Sequence, residues 1–421
     1  MRFSKFLMQA LVCLLVTKAG FAQTPAAIVK DATEPSSPTV AAMNSSDNPL
    51  SPAQIQDRLV QAKQVLNALA SGDSDTIYLS AFDRATSQMQ VLALNKDSFL
   101  TKGAEYVLPS KQGEETLRVR IVRPNGVNTA VTVTDVSSGK SLFPLMVRYP
   151  IEKDGAVQPA FYVSAHPALM SPELAASGEA YVTTMLDQAA QDLAVQGVVI
   201  PRDVVDVAAH LVIVEHTDHK RFLNESRPDI SREVLALYAL NRGDTYRYSV
   251  SSAGAGGMIQ MIPKTYNAIR EHHPNVALEP DFVTGMQNHA NALKAMLLYI
   301  NDTWKYLQNQ DEVQQALQSG TATKTELLAA GYNSNPYKIP SYLSDGGSGW
   351  RSLIPAETQM YLAIYQSVDN NVDFQTGETS TVVATTTVPI LAPAASLARE
   401  TTAALVSWVG NFLSPSLMLN R

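Results

Sequence analysis

The strongest constraint on this fold is a change of hydrophobic period part-way along the chain. From about residue 77 to 163 apolar and polar residues alternate, as in L-R-V-R-I-V-R (117–123) and T-A-V-T-V-T-D-V (129–136), with Pro124-Asn125-Gly126 between them. Alternation puts every second side chain on one face of a strand, and the Pro-Asn-Gly run reads as a tight turn. Ser137 to Lys140 gives a second turn signal, and L-M-V-R-Y-P and A-F-Y-V-S supply further strands. From near Ser171 to about Val368 the spacing becomes helical. Val204, Val205, Val207, Ala208, Leu211, Val212 and Val214 predict one strongly apolar helix. Met286, Leu293, Met296, Leu297 and Ile300 mark the buried side of another, running from Phe282 to Tyr306. Strands followed by helices, rather than alternating with them, predict an α+β multidomain chain. Its parts are a small β-sandwich-like domain over residues 73–168 and an all-α domain over 171–374.

The flanks are organised differently. Ser51-Pro52 reads as a cap and first-turn proline, and Ile55, Leu59, Ala62, Val65, Leu66 and Leu69 follow at helical spacing, so a leading helix is expected over 51–72. Residues 23–50 are rich in Ala, Pro, Ser and Thr without apolar period and read as a flexible leader. Residues 1–22 have a basic start, a short apolar run, and Gly20 and Ala22 before a cut after Ala22, the pattern of a cleavable export signal. Cys13, the only cysteine, lies in that run, so the exported chain would carry no disulfide and no thiolate. Such a chain must hold itself together by burying ordinary cores. Residues 375–421 form a Thr/Ala/Pro-rich linker and a short apolar tail, interrupted by Gly410 and Pro415 and too short to span a bilayer. The formal charge is −7, and −10 once Arg2, Lys5 and Lys18 leave with the signal. With no basic patch, nucleic acid is excluded as a partner, and no transmembrane span is expected.

Chemistry concentrates elsewhere. Residues 251–263 read S-S-A-G-A-G-G-M-I-Q-M-I-P, and Gly254, Gly256 and Gly257 are not core material. Glycines there suit a backbone that turns sharply or approaches a ligand, feeding a helix that starts near Met258. A second motif is L-L-A-A-G-Y-N (327–333), and a third combines Ile354, Pro355, Glu357, Thr358 and Tyr361. Together, in this order, the three resemble the motifs of the soluble lytic transglycosylases, which share a lysozyme-like fold with goose-type lysozymes. The resemblance covers roughly residues 190–370. It implies a lysozyme-like helical domain, export to the periplasm, and peptidoglycan glycan strands as partner. The expected reaction cleaves the bond between N-acetylmuramic acid and N-acetylglucosamine with formation of a 1,6-anhydro ring. It further implies one glutamate, acting first as acid and then as base, and no cofactor.

A carboxyl donates a proton at neutral pH only when its surroundings raise its pKa. Glu215 follows the apolar L-V-I-V directly, which places it at the rim of a hydrophobic wall. It lies 36 residues before Ser251, whereas the family's glutamate stands about nine residues before its serine. An insertion of about 27 residues, with a helical run near Val234 to Leu240, would account for the difference. Glu225, in N-E-S, and Glu233 are the competing acids inside it. The resemblance makes Ser251, Gly257, Gln260, Tyr332 and Asn333 substrate-binding positions, with the Tyr332 hydroxyl aimed at the glutamate. Read plainly, Ser251 caps a turn, Tyr332 is a core ring, and Gln260 is a helical polar residue among Met258, Ile259, Met261 and Ile262. Tyr246 and Tyr248 could stack on sugars or pack inward.

Glu215, His216, Asp218 and His219 crowd together, and His272-His273 follow. The zinc-protease patterns H-E-x-x-H and H-x-x-E-H are absent, so no metal is expected. Two further readings stay open. A lysozyme-like hydrolase would need a second carboxylate, from Asp218 or Asp244. A wall-binding scaffold would keep the groove without the chemistry. The β-rich part carries no reactive cluster and reads as a spacer or as a docking module for a cell-envelope assembly.

Overall fold

The computed structural model describes residues 50–69, 74–153, 156–243 and 254–374. The expected export signal, most of the leader, the C-terminal tail, and Ser251, Asp244, Tyr246 and Tyr248 lie outside them. Helix α1 (Pro52–Ala68) begins at a capping box in which Ser51 and Gln54 satisfy each other's backbone N–H groups. Strands β1 (Thr76–Asp83) and β2 (Gln88–Asn95) follow, then the short α2 (Lys96–Phe99), then β3 (Glu105–Pro109), β4 (Thr116–Arg123), β5 (Ala130–Asp135), β6 (Ser141–Lys153) and β7 (Ala156–Tyr162).

All seven strands are antiparallel and belong to one sheet, in the order β2-β1-β6-β5-β4-β3, with β7 also on β6. The expected sandwich is therefore corrected to a single curled sheet, a half-barrel. The reason lies in the length of β6, 13 residues. One side of it pairs with β1, and the other holds β5 at its start and β7 at its end, so strands that two layers would separate share one spine. The alternation in β4 does what its pattern predicts: Leu117, Val119 and Ile121 are buried, and Arg118 and Arg120 point out.

Among the described residues, the helices follow without strands between them. They are α3 (Pro172–Val195), α4 (Arg202–Val214), α5 (His219–Asn224), α6 (Arg227–Leu240), α7 (Pro263–His272), α8 (Phe282–Gln287), α9 (His289–Leu307), α10 (Asp311–Gln318), α11 (Lys324–Asn333), α12 (Ile339–Gly346) and α13 (Ala356–Asn371). Two sequence expectations shift. The helix expected over 282–306 is broken at Asn288, whose side chain accepts from the Asn291 N–H and restarts the chain as α9. The helix expected from Met258 starts only at Pro263, because Gly257 to Gln260 form a turn closed by the Gly256–Met261 bridge.

The chain is thus α+β, a sheet followed by a helical part, and α6 joins the two. Every residue from Val234 to Leu240 is buried, so the C-terminal half of this helix has no solvent face. Leu237 packs into the core of the sheet, Val234, Leu235 and Tyr238 into the helical core, and Ala236, Ala239 and Leu240 into the core under α1. Ion pairs reinforce the joint. Glu233 on α6 accepts two hydrogen bonds from Arg123 of β4, at 2.5 and 3.1 Å, and two from Arg221 of α5, both at 2.9 Å. No helix among the described residues is long and apolar enough to cross a membrane.

Candidate active site

Helix α4 is rich in β-branched residues, poor helix formers on their own, yet Val204, Val205, Val207, Ala208, Ala209 and 211–214 are all buried. Burial on this scale overrides propensity. The helix ends at Glu215, its C-cap, whose N–H still reaches the Leu211 carbonyl. The carboxyl therefore emerges where the apolar wall stops. Glu215 is half-buried, and its Oε1 accepts a hydrogen bond of 2.7 Å from the hydroxyl of Tyr361 on α13. Burial pushes its pKa up to about 8, against the pull of the Tyr361 hydrogen bond and with help from the negative charge of Glu357. A carboxyl still protonated at neutral pH, on a residue that solvent can reach, can give up its proton.

The competing carboxylates are committed elsewhere. Burial opposes ionisation of Glu233, but hydrogen bonds from Arg221 and the charges of Arg123 and Arg221 outweigh it, so this carboxyl sits below the usual range. A carboxylate clamped by two guanidiniums is an ion-pair anchor, not a proton donor. Glu225 is exposed and accepts from Arg221 Nε at 2.9 Å. Asp218 is exposed and caps α5 by accepting the Arg221 N–H.

Beside Glu215 lies the glycine-rich loop. Gly254 and Gly257 have φ of +78° and +73°, and Gln260 has +47°. For glycine the left-handed region is free, but for Gln260 it costs about 1 kcal/mol. The turn closes through the Gly256 N–H to the Met261 carbonyl, at 3.2 Å, and Gln260 Nε2 donates to the Gly257 carbonyl at 2.9 Å. Gln260 is thus a turn residue, not the helical one expected. Gly257 is needed for packing as well as for φ, since a Cβ there would stand 2.7 Å from the Met286 carbonyl oxygen of α8.

Side chains from three directions pin the loop's outer carbonyls. His216 Nε2 donates to the Met258 carbonyl at 2.9 Å, which requires a proton on that nitrogen, and the Tyr238 hydroxyl, which donates to the Val212 carbonyl of α4 at 2.5 Å, lies 3.4 Å from the Met258 oxygen. The Tyr332 hydroxyl donates to the Ile259 carbonyl at 2.8 Å. This corrects the expected aim of Tyr332: it holds the loop, and it is Tyr361 that bonds Glu215. Glu215 is still close enough that its charge, after burial, helps raise the Tyr332 pKa well above the ordinary value. Asn333 accepts from the Thr358 hydroxyl at 2.9 Å, clasping the second motif to the third.

The three sequence motifs and Glu215 therefore converge through α4, α11, α13 and the loop. The pairing of Tyr361 with Glu215, across 146 residues, was not anticipated, although the third motif contains that tyrosine. His216 and Tyr238 were likewise missed as supports, because nothing local marks a side chain that bonds a distant carbonyl. Glu215, His216, Asp218 and His219 do not converge on a metal. Among the described residues, the grouping of side chains able to hold a metal ion is His272, His273 and Asp302.

Comparison with known proteins finds no matching family model, no matching curated protein and no matching solved structure.

Proposed function

We propose that this protein is a peptidoglycan lytic transglycosylase whose helical part is lysozyme-like. The observation that carries this reading is Glu215: a carboxyl at the end of an apolar helix, raised to a pKa of about 8 and held by Tyr361 beside a glycine-rich turn. Protonated Glu215 gives its proton to the glycosidic oxygen as the bond to N-acetylglucosamine breaks. The resulting carboxylate then accepts the proton of the C6 hydroxyl of N-acetylmuramic acid as that oxygen closes the 1,6-anhydro ring. Tyr361 donates to Oε1 and stabilises the carboxylate in the interval between the two transfers. Gln260 and the backbone around Gly257 line the groove, and Tyr332 and Asn333 hold its walls.

One carboxyl suffices for this sequence, and Glu215 is the one that bonds Tyr361, with Glu357 near enough for its charge to help keep Glu215 protonated. Asp218, a candidate second carboxylate for a hydrolase, is occupied in capping α5. The glycan strand is the proposed partner, the periplasm the proposed compartment, and the sheet the proposed contact to a wall or envelope assembly.

Digestion of purified sacculi with mass analysis of the products tests the reading. The expected products end in an anhydro sugar, lighter than a reducing end by one water. Glu215→Gln should lower muropeptide release by at least about 100-fold while sacculus binding persists. Reducing ends in the wild-type digest would mean a hydrolase. Undiminished release by the variant would dismiss Glu215 as the acid.

A further inference from the structure

Outside the candidate active site, two helices bring three metal-ligating side chains to one point. His272 is the last residue of α7, and His273 is its C-cap, with φ −117° and ψ 61°. In a continuing helix neighbouring rings would diverge by about 100°. Because the chain leaves the helix at His273, its ring turns back beside that of His272, with centroids 4.8 Å apart. Both present Nε2 to Oδ2 of Asp302 on α9, His273 at 2.6 Å and His272 at 3.8 Å. One ligand atom from each residue lies within 4.8 Å of the other two.

We propose that His272, His273 and Asp302 bind a first-row divalent cation of the zinc class, bracing the end of α7 against α9. Two imidazoles and a carboxylate are the donor set such ions take, with water completing the shell. Ligand atoms about 2.1 Å from a tetrahedral ion stand about 3.4 Å apart. That separation falls between the two observed to Oδ2, and the three ligand atoms already lie within 4.8 Å of one another, so side-chain shifts of about 1 Å close the site.

Two independent features favour a cation here. Asp302 is 4 % exposed, and its Oδ1 is enclosed without a hydrogen bond, so the buried carboxylate calls for positive charge. The end of α7 adds the negative pole of a helix. Lys305 approaches Oδ1 at 3.5 Å, one turn along α9, but its side chain is half exposed and can turn to solvent. Since α7 runs straight out of the glycine-rich loop at Pro263, a cation at its far end would stiffen that segment whatever the protein's activity.

The rival arrangement is a metal-free network in which His273 and Lys305 neutralise Asp302. The test uses the full-length chain without a histidine tag, stripped with chelator and titrated with Zn2+ and, separately, Co2+. One equivalent should bind, Co2+ should develop visible d–d absorption, and Tm should rise by about 5 °C at a hundredfold excess over Kd. His273→Ala and Asp302→Asn should each weaken binding at least about tenfold. His272→Gln, a change at a more exposed ring, carries the comparison should either of the others fail to fold. A wild-type chain that binds no stoichiometric cation overturns the proposal, as does binding that the folded variants leave unchanged.

Discussion

Glu215 and Glu233, 18 positions apart, take opposite protonation states because one faces an apolar wall and the other two guanidiniums. Their effects on stability therefore run opposite ways with pH. Glu215 has an ordinary pKa of 4.5 when unfolded and about 8 when folded. Between those values the folded protein holds a proton that the unfolded chain has lost, so this residue's contribution falls as pH rises. Glu233, whose folded pKa is depressed, contributes above the ordinary carboxylate range and loses that contribution as pH falls through its folded pKa. Glu215→Gln has no such proton to lose. Relative to wild type at pH 4, the variant should gain about 1–2 kcal/mol by pH 9, discounted because solvent reaches the half-buried residue. Urea denaturation at the two pH values measures this, and a gap that stays constant would show that the carboxyl is not destabilised by folding.

The elements legible in the sequence are those with a local signal. The start of α1 is announced by Ser51, Pro52 and Gln54, that of α3 by Ser171, and the apolar run of α4 by its valines. Caps and periodicity act within a few residues, so they are visible in a string. The break between α8 and α9 was not read, because the 3.6-residue pattern continues through it and only Asn288 marks the restart. The closeness of α3 to α6 was invisible too. At Gly178 a Cβ would overlap the Leu235 carbonyl, so the two helices meet backbone to backbone. Gly178→Ala should gain a little intrinsic helix propensity yet destabilise the protein by about 1–3 kcal/mol, because α6 must move. A higher Tm in thermal unfolding of the variant would show that the helices separate freely.

At the scale of the whole molecule, α6 makes the sheet and the helices one cooperative unit, since its residues serve three cores. Calorimetry should record a single transition in which strand and helix signals are lost together. Glu233→Gln leaves Arg123 and Arg221 facing a neutral amide and should cost about 2–4 kcal/mol. Two separated wild-type transitions would mean that the sheet folds independently. The sequence by itself determined the order of sheet and helices, the start of α1 and the place of Glu215 at the end of the apolar run of α4, because periodicity, capping and chain adjacency are local properties. Only the tertiary structure decided that β6 unites the strands in one sheet, that Tyr361 rather than Tyr332 bonds Glu215, and that Glu233 is taken by two arginines. Each of those depends on which distant surfaces bury one another, and a charge or hydroxyl acquires its role from the partner that burial brings to it.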